Sequence, residues 1–475
     1  MASIIIREED LTTNTLDESI TDIAYVPGFG ATGDDYADKG APILCTSLGQ
    51  FETLFGDAPR TFTEGATFGD LGFDAAACAA TTDVMFNGPT EATETEPAKS
   101  GDPDPGYIYA HELLSAGIPV YYERVNGKTD TNVTPQMMYA ALNGVAAASG
   151  TAAQESILRK LADRGTYRIK YLTTGGYPIF ERTTAVNDGT VETAQTIVEI
   201  LLEVAEADYF EDSSTTSTGR GDCIALIDHT NYAGRALIGT GSVLEAANSQ
   251  DGPLHNLDSK LSYAAMFTPW ANYGVSVRGV SSCDLPGSFA YLKCLGSALR
   301  DYANWFAIAG VARGTVKGIN NILTDELLTN NIANRYQQDV GVSINAITRI
   351  QPYGQVIWGN RSLMRVDADT GLKATAFLNI RNMVCDIKKV LYRAARRYMF
   401  EQNSDALWIN FRSMVTPLLD QMLTGQGLAS YTMTKGEKSA KTKLYANITI
   451  TPIYAVESFD ITVQITDEDA SVSES

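Results

Sequence analysis

Short unbroken apolar runs alternate in this chain with longer amphipathic stretches, and that alternation decides most of what it can fold into. Asp222-Cys-Ile-Ala-Leu-Ile-Asp228 is apolar without interruption between two acids. A strand with one wet face would alternate apolar and polar side chains, so a continuous run suits a strand buried on both faces. Ile23 to Gly30, Ala41 to Thr46, Ile118 to Val125, Tyr167 to Leu172 and Leu261 to Phe267 read as further strands. Between them, residues 191–206 carry Ala194, Ile197, Val198, Leu201, Val204 and Ala205 at helical spacing, with glutamates opposite. Ser288 to Tyr302 is another long helix, Ser242 to Asn248 a short one, and Ser47 and Gly56 bracket a third as N-cap and stop. The pattern predicts an α/β fold with a parallel, helix-covered sheet.

The last third changes character. Phe377 to Phe400 predicts one long helix. At about 100° per residue, Ile380, Met383, Val384, Ile387, Leu391, Ala394 and Tyr398 fall on one side. Arg381, Lys388, Lys389, Arg393, Arg396 and Arg397 fall on the other, against one acid, Asp386. A second helix over 404–424 starts at Ser404 and stops near Gly425. Strands follow at Leu444 to Val456 and at Phe459 to Ile465, the latter alternating through Phe459, Ile461, Val463 and Ile465. At the opposite end, Ile4, Ile5 and Ile6 form a lone β-branched run. A single terminal strand needs a sheet to join, and these two stand outside the main mass. The expected division is an N-terminal arm (1–22), a region 23–125 with a loop-rich insertion over 57–106, an α/β domain (126–365), an α+β C-terminal domain (366–457) and a C-terminal arm (458–475).

Length and charge exclude several classes. A chain of 475 residues can bury a large core without disulfide or metal staples. With 57 acidic and 36 basic residues, the net charge of −21 argues against a surface that holds nucleic acid or anionic membrane. Residues 1–110 hold 20 acidic and 4 basic side chains, a net of −16, so most of the excess sits in the first quarter. No apolar stretch is long enough for a transmembrane helix, and Met1 to Glu9 is not a secretory signal. The six cysteines are widely spaced, without Cys-x-x-Cys, and read as small buried apolar residues.

The search for chemistry finds little. His111, His229 and His255 make no metal-ligand spacing. Asp228 and His229 follow a strand, where α/β active sites lie, but no Gly-x-Ser-x-Gly supplies a nucleophile. Gly28-Phe-Gly-Ala-Thr-Gly33 and Thr174-Gly-Gly-Tyr-Pro178 lack a P-loop ending and read as turns that need positive φ. Arg220-Gly-Asp222 is short enough to arise by chance. The expectation is no catalytic residue, no metal and no cofactor. The basic helix faces either solvent or a protein partner with an acidic surface.

An ordered series of segments carries a resemblance. Ala24-Tyr-Val-Pro-Gly28, Phe51-Glu-Thr-Leu-Phe-Gly56 and Gly117-Ile-Pro-Val-Tyr-Tyr-Glu-Arg124 come first. Thr268-Pro-Trp270, Leu285-Pro-Gly-Ser288, Ala309-Gly-Val-Ala-Arg-Gly314 and Ile344-Asn345 follow. Gln351-Pro-Tyr-Gly-Gln-Val-Ile-Trp-Gly-Asn-Arg-Ser-Leu363 is the sharpest, and Leu378-Asn-Ile-Arg381 and Asn447-Ile-Thr-Ile-Thr-Pro452 close the series. In this order they resemble the contractile tail sheath proteins of bacteriophages. Leu285 stands where that family usually has a second proline.

The resemblance implies a subtilisin-like α/β core without a protease's catalytic residues. It implies hexameric rings of this chain stacked around a tail tube, bounded by baseplate and tail terminator proteins. Cooperative shortening would drive the tube through a bacterial envelope. It further implies a virion tail assembled in the host cytoplasm, with no direct nucleic-acid contact and no membrane insertion. Terminal arms of neighbouring subunits would share a β-sheet, a role that falls on Ile4, Ile5, Ile6, Phe459, Ile461, Val463 and Ile465. The basic residues of the long helix would meet the tube or a neighbouring subunit. A non-contractile virion or tailocin component and an α/β enzyme are the alternatives.

Overall fold

The continuous apolar runs pair with one another, and their order explains why they are continuous. In the computed structural model, residues 22–32, 41–73, 83–93, 96–127, 130–144, 155–181, 197–206, 219–230, 242–249, 252–254, 257, 260–324, 336–369, 371–436 and 444–457 are described. Ile4, Ile5, Ile6, Phe459, Ile461, Val463 and Ile465 lie outside them, as do Cys78 and His255.

In chain order the strands are β1 (Ala24–Gly28), β2 (Ile43–Cys45), β3 (Ala66–Thr67), β4 (Val84–Phe86), β5 (Val120–Arg124), β6 (Tyr171–Leu172), β7 (Ile224–Ile227) and β8 (Ala264–Thr268). Then come β9 (Ala271–Gly274), β10 (Ser282–Leu285), β11 (Ile319–Ile322), β12 (Asn345–Ile350), β13 (Gly354–Trp358), β14 (Leu428–Lys435) and β15 (Ala446–Pro452). Eight of them form one sheet in the order β13-β12-β8-β7-β6-β1-β5-β2. The six inner strands run parallel, and β13 and β2 close the edges antiparallel.

Successive side chains of a strand point to opposite faces, and here both faces are dry. Tyr25, Leu172, Ala225, Ile227 and Met266 enter one core with helix Ile197–Ala205. Val26, Tyr171, Ile224, Leu226 and Phe267 enter a second core with helices Leu48–Phe55, Pro105–Ala116 and Gly287–Ala298. The inner strands therefore carry apolar residues on both faces. The cysteines follow the same logic: Cys45, Cys223, Cys294 and Cys385 are buried free thiols, and Cys283 is half-buried.

Three expectations change. The strand read over Tyr167 to Leu172 pairs only at Tyr171–Leu172. The buried Arg220 explains the loss, because its guanidinium donates to the carbonyls of Tyr167 (2.8 Å) and Leu161 (2.7 Å) and binds that stretch in place of a ladder. Arg220-Gly221-Asp222 is thus an internal tie. The insertion over 57–106 is more than loop, since Phe62, Phe68, Leu71, Phe73, Met85 and Phe86 are all buried in the first core. Finally, β14 is a strand that the sequence reading did not assign, and it pairs antiparallel with β15.

The C-terminal unit has its own core. Helices Leu378–Arg397 and Asp405–Thr424 and the β14–β15 hairpin enclose Ile380, Met383, Ile387, Phe411, Val415, Leu419 and Met433. Ser404 caps the second helix, accepting from the Leu407 N–H at 3.3 Å, and Gly425 ends it.

Candidate assembly site

The C-terminal ends of the parallel strands are where an α/β enzyme would place its ligand. Here the loops at those ends are tied to one another. Asp104 caps helix Pro105–Ala116 by accepting from the N–H groups of Gly106 and Tyr107, both at 3.0 Å. Its carboxylate also accepts from the Phe29 N–H and the Tyr177 hydroxyl, each at 2.7 Å. Burial pushes this carboxyl up to about 6. The Gly30 N–H is taken by Asn126 at 3.0 Å, so the Gly28–Gly30 turn has no amides left to cradle a phosphate.

Gly28 itself does not take a positive φ; it is required by close approach, because a Cβ there would stand 2.2 Å from the Tyr122 hydroxyl. Gly175 and Gly176 do adopt positive φ, 67° and 84°, as the turn reading expects.

Asp228 and His229 do not form a catalytic pair. Ser288 donates to Asp228 Oδ2 at 2.9 Å, and Tyr109 joins the same hydroxyl at 3.0 Å. His229 turns elsewhere, with Nδ1 2.6 Å from the Thr230 carbonyl and Nε2 2.9 Å from Thr268 Oγ1. Ser288 therefore has a carboxylate beside it but no imidazole to take its proton. Burial pushes Asp228 up to about 7. A cavity of about 570 Å³ lies nearby, between β4 and the small β9–β10 sheet. Its Asp102 and Asp284 are already bonded to Asn87 and Asn272. Among the described residues, no group of His, Cys, Asp and Glu could hold a metal, and no helix is long and apolar enough to cross a membrane.

The N-terminal ends of the same strands are covered by the basic helix, Leu378–Arg397. Arg381 donates to Ser262 at 2.7 Å and stacks 4.1 Å over the Tyr263 ring, just before β8. Lys388 reaches the Tyr263 hydroxyl at 2.7 Å. Asn382 accepts from the Tyr171 hydroxyl at 3.0 Å, at the start of β6. Cys385 packs against the Cys223 carbonyl before β7.

The expected single basic face is therefore split. Arg381 and Lys389 are only 5% and 8% exposed, and Lys388 is half-buried. Their charges serve the body of this subunit because the helix buries two faces, one on the third core and one on the strand starts. Arg393 is half-buried, and Arg396 and Arg397 are exposed. Met399 and Phe400 follow at the helix end, 60% and 101% exposed, with Phe400 in the left-handed region at φ 68°.

This helix and the segment that leads into it anchor both described chain ends. Lys170, wholly buried, donates to Asp22 Oδ1 at 2.7 Å and to Asp386 Oδ2 at 2.9 Å. Burial alone would lower this lysine, but the two carboxylates outweigh it and raise it. Asn304 reaches the same Asp386 oxygen at 2.6 Å. At the other root, Arg361 forms a two-pronged pair with Glu457, Nε to Oε1 at 3.1 Å and Nη2 to Oε2. The Arg361 guanidinium lies 4.6 Å from the Phe377 ring, which meets Tyr454 edge-on at 5.2 Å. A cleft of about 440 Å³ lies between this root and Trp305 and Trp358.

Asp22 and Glu457 adjoin the terminal segments that the sequence assigns to arms. Next to Glu457, β14 and β15 make a sheet of two strands among the described residues. Tyr431, Ile448 and Ile450 pack inward, while Ser430, Thr432, Thr434, Asn447, Thr449 and Thr451 are exposed. A two-stranded sheet with unpaired edges is a template for further strands. Sequence alone missed the root ties; the isolated charges Asp22, Lys170 and Glu457 carry no local pattern.

No protein-family model matches the chain, and no curated protein matches it in sequence. Solved structures do. The sheath complex of an extracellular contractile injection system, PVC, in its contracted state aligns over 99% of this chain and 98% of its own, at 14% identity and a TM-score of 0.52. Two baseplate structures of the anti-feeding prophage (AFP) match at a TM-score of 0.53. One is six-fold symmetrised, at 14% identity, with 98% of this chain and 99% of the other covered. The second, in the contracted state, is 16% identical with 98% of both chains covered. The chain has the contractile-sheath fold. The match runs end to end, so the mixed α/β body and the C-terminal unit belong to one architecture.

Proposed function

We propose that this chain is the structural subunit of a contractile sheath and has no enzymatic activity. Its core follows the subtilisin-like topology, with the strand ends that would serve a protease sealed by internal hydrogen bonds. Subunits form hexameric rings that stack on a tail tube between a baseplate and a terminator, in a virion tail assembled in the host cytoplasm. Contraction drives the tube through the cell envelope. The energy is stored in the extended lattice, so no cofactor is required.

The observation that carries this reading is the end-to-end likeness to the contracted PVC sheath complex. The geometry supports a mechanism. Ile4 to Ile6 of one subunit and Phe459 to Ile465 of another add strands to the open β14–β15 sheet, giving a mesh that survives rotation of the bodies. Arg396 and Arg397, with Arg393 beside them and Phe400 at the tip, face the tube or a neighbouring subunit.

Negative-stain microscopy of the purified protein tests the reading. Hexagonal tubes that shorten are expected from the full chain. Chains lacking 1–20 or 458–475 should remain folded monomers. Full-length protein that forms only fixed-length assemblies would favour a non-contractile component, and normal sheaths from either truncation would remove the arms from the mechanism.

A further inference from the structure

A small cleft opens beside the last turns of the basic helix, and its lining is unusual in charge. Arg164, Arg168, Arg220, Lys389, Arg393 and Arg396 surround it, with one carboxylate, Asp222. That carboxylate is already taken by Arg220 Nε at 2.8 Å. Arg164 is held in place over the Tyr392 ring at 4.4 Å and by the Arg220 carbonyl at 3.2 Å. Asp163 stands at the rim, accepting from the Gly165 N–H at 2.9 Å. Arg220 is spent on Asp222 and backbone carbonyls and Lys389 faces Asp386, but Arg164, Arg168, Arg393 and Arg396 still leave the cleft an excess of positive charge that focuses a positive potential into it. Its volume is about 90 Å³. At roughly 30 Å³ per water, that is the space of about three waters. It admits a carboxylate side chain.

The chain carries a matching anion. Residues 466–475 contain Asp467, Glu468, Asp469 and Glu474 and no basic residue. The distance also fits within one subunit. Glu457 is fixed by Arg361 near Phe377, at the start of the basic helix. Lys389 to Arg396 lie 12 to 19 residues further on, which at 1.5 Å per residue is about 18–29 Å along the axis. Ten residues separate Glu457 from Asp467, and an extended chain of that length spans about 33 Å.

We propose that the Arg164–Arg396 cleft is the docking site for the chain's own Asp467-Glu468-Asp469 run in the unassembled subunit. Docked there, the C-terminal segment is held against its own body, and it is released when a neighbouring sheet takes it. The docking rests on residues of this chain alone; its role as a brake on polymerisation rests on the sheath reading.

A glutamate-specific protease, cutting after Glu468 in the soluble full-length subunit, reads the docked state. Rates are referenced to the free peptide Thr466–Ser475 at the same salt. Raising sodium chloride from about 20 to about 500 mM should speed relative cleavage about tenfold, as screening weakens the contact. Arg393→Glu/Arg396→Glu should cut fast at both salts, and so should Asp467→Asn/Asp469→Asn, which leaves the body untouched. All rates should be independent of subunit concentration over a hundredfold range. Equal rates in the unaltered chain and the tail variant would overturn the proposal. So would protection that grows with concentration, because a second copy's tail would then fill the cleft. The assay needs no sheath, so a subunit that latches but never forms tubes would sink the sheath reading and leave the docking standing.

Discussion

The two ends of the large sheet are both rich in buried polar groups, yet they are built for different purposes. At the C-terminal ends, Asp104 and Asp228 are bonded to backbone amides and hydroxyls of neighbouring loops. Phe62 and Phe86 of the insertion stack against Tyr177, the tyrosine that donates to Asp104. Most of that end is a plug of neutral donors around carboxylates, with one ion pair, Lys160 to Glu123, at the end of β5. At the N-terminal ends Lys170 joins Asp22 and Asp386 in a buried ionic cluster that ties the start of β1 to the basic helix, and Arg361, ahead of that helix, pairs with Glu457 at the surface. The difference teaches where a helix-covered α/β body can act once its usual ligand end is closed. The charged helix beneath the strand starts, with Arg361 in the segment that leads into it, holds Asp22 and Glu457 and leaves a cationic tip outside. In a sheath subunit, force arriving through the arms would enter the body there.

The largest expected effect breaks the N-terminal end. Lys170→Met removes the cation that donates to both Asp22 and Asp386, and removing one member of a buried ionic cluster costs about 3–5 kcal/mol. Asp104→Asn at the opposite end keeps one acceptor oxygen and the shape but turns an NH2 toward two of the four donors, and should cost about 2 kcal/mol. Urea unfolding of the soluble subunit measures both. If Lys170→Met costs no more than Asp104→Asn, the ionic and neutral ends are energetically alike and the comparison fails.

The next effect sharpens the C-terminal end through pH. Asp228 is pushed from 3.8 to about 7 by burial, so the folded state holds its proton over a range in which the unfolded chain has lost it. The folded state then binds more protons than the unfolded one, and stability falls as pH rises between those two values. One such group contributes a slope approaching about 1.4 kcal/mol per pH unit. Asp104 and Glu123, each pushed up to about 6 by burial, act in the same direction. Asp228→Asn should flatten the fall by about one proton's worth between pH 4 and 7. A variant whose stability tracks the unaltered chain at every pH would mean that Asp228 ionises freely, and the plug would be open to water.

Much of the body was legible because its signals are local. The run from Cys223 to Ile227 declares a strand dry on both faces, and Ser404 and Gly425 mark the two ends of a helix by their own chemistry. The contractile-sheath fold was legible through order alone: segments such as Gln351 to Leu363 are weak singly and specific in series. What escaped depends on distant partners. Phe62 and Phe86 sit in a stretch rich in Thr, Gly and Asp, and only the completed core shows that they are buried. A helical wheel places Arg381 and Lys389 on a polar face. It cannot register that Tyr263, Ser262 and Asp222 wait there, supplied by residues more than a hundred positions earlier. Asp22 and Lys170 meet only because β1 and β6 are neighbours in the sheet.

The smallest expected effect on stability falls on Arg397, and it tests whether the basic helix really divides in two. Its side chain is exposed beyond the last strand contact, whereas Arg381 is bonded to Ser262 and stacked on Tyr263. Exposed charges away from such contacts shift stability by no more than about 0.5 kcal/mol. Arg397→Glu should therefore leave the urea midpoint of the soluble subunit almost unchanged while lowering the yield of sedimentable sheath. Arg381→Met should do the opposite in order, weakening the fold first, because it strips a cation from the ring and hydroxyl that hold the helix to β8. Were Arg397→Glu to unfold the subunit or leave sheath yield intact, the outer cations would belong with the inner ones as internal ties. The contact with tube or neighbour would then have to be sought at Phe400 or on the Thr-rich face of β14 and β15.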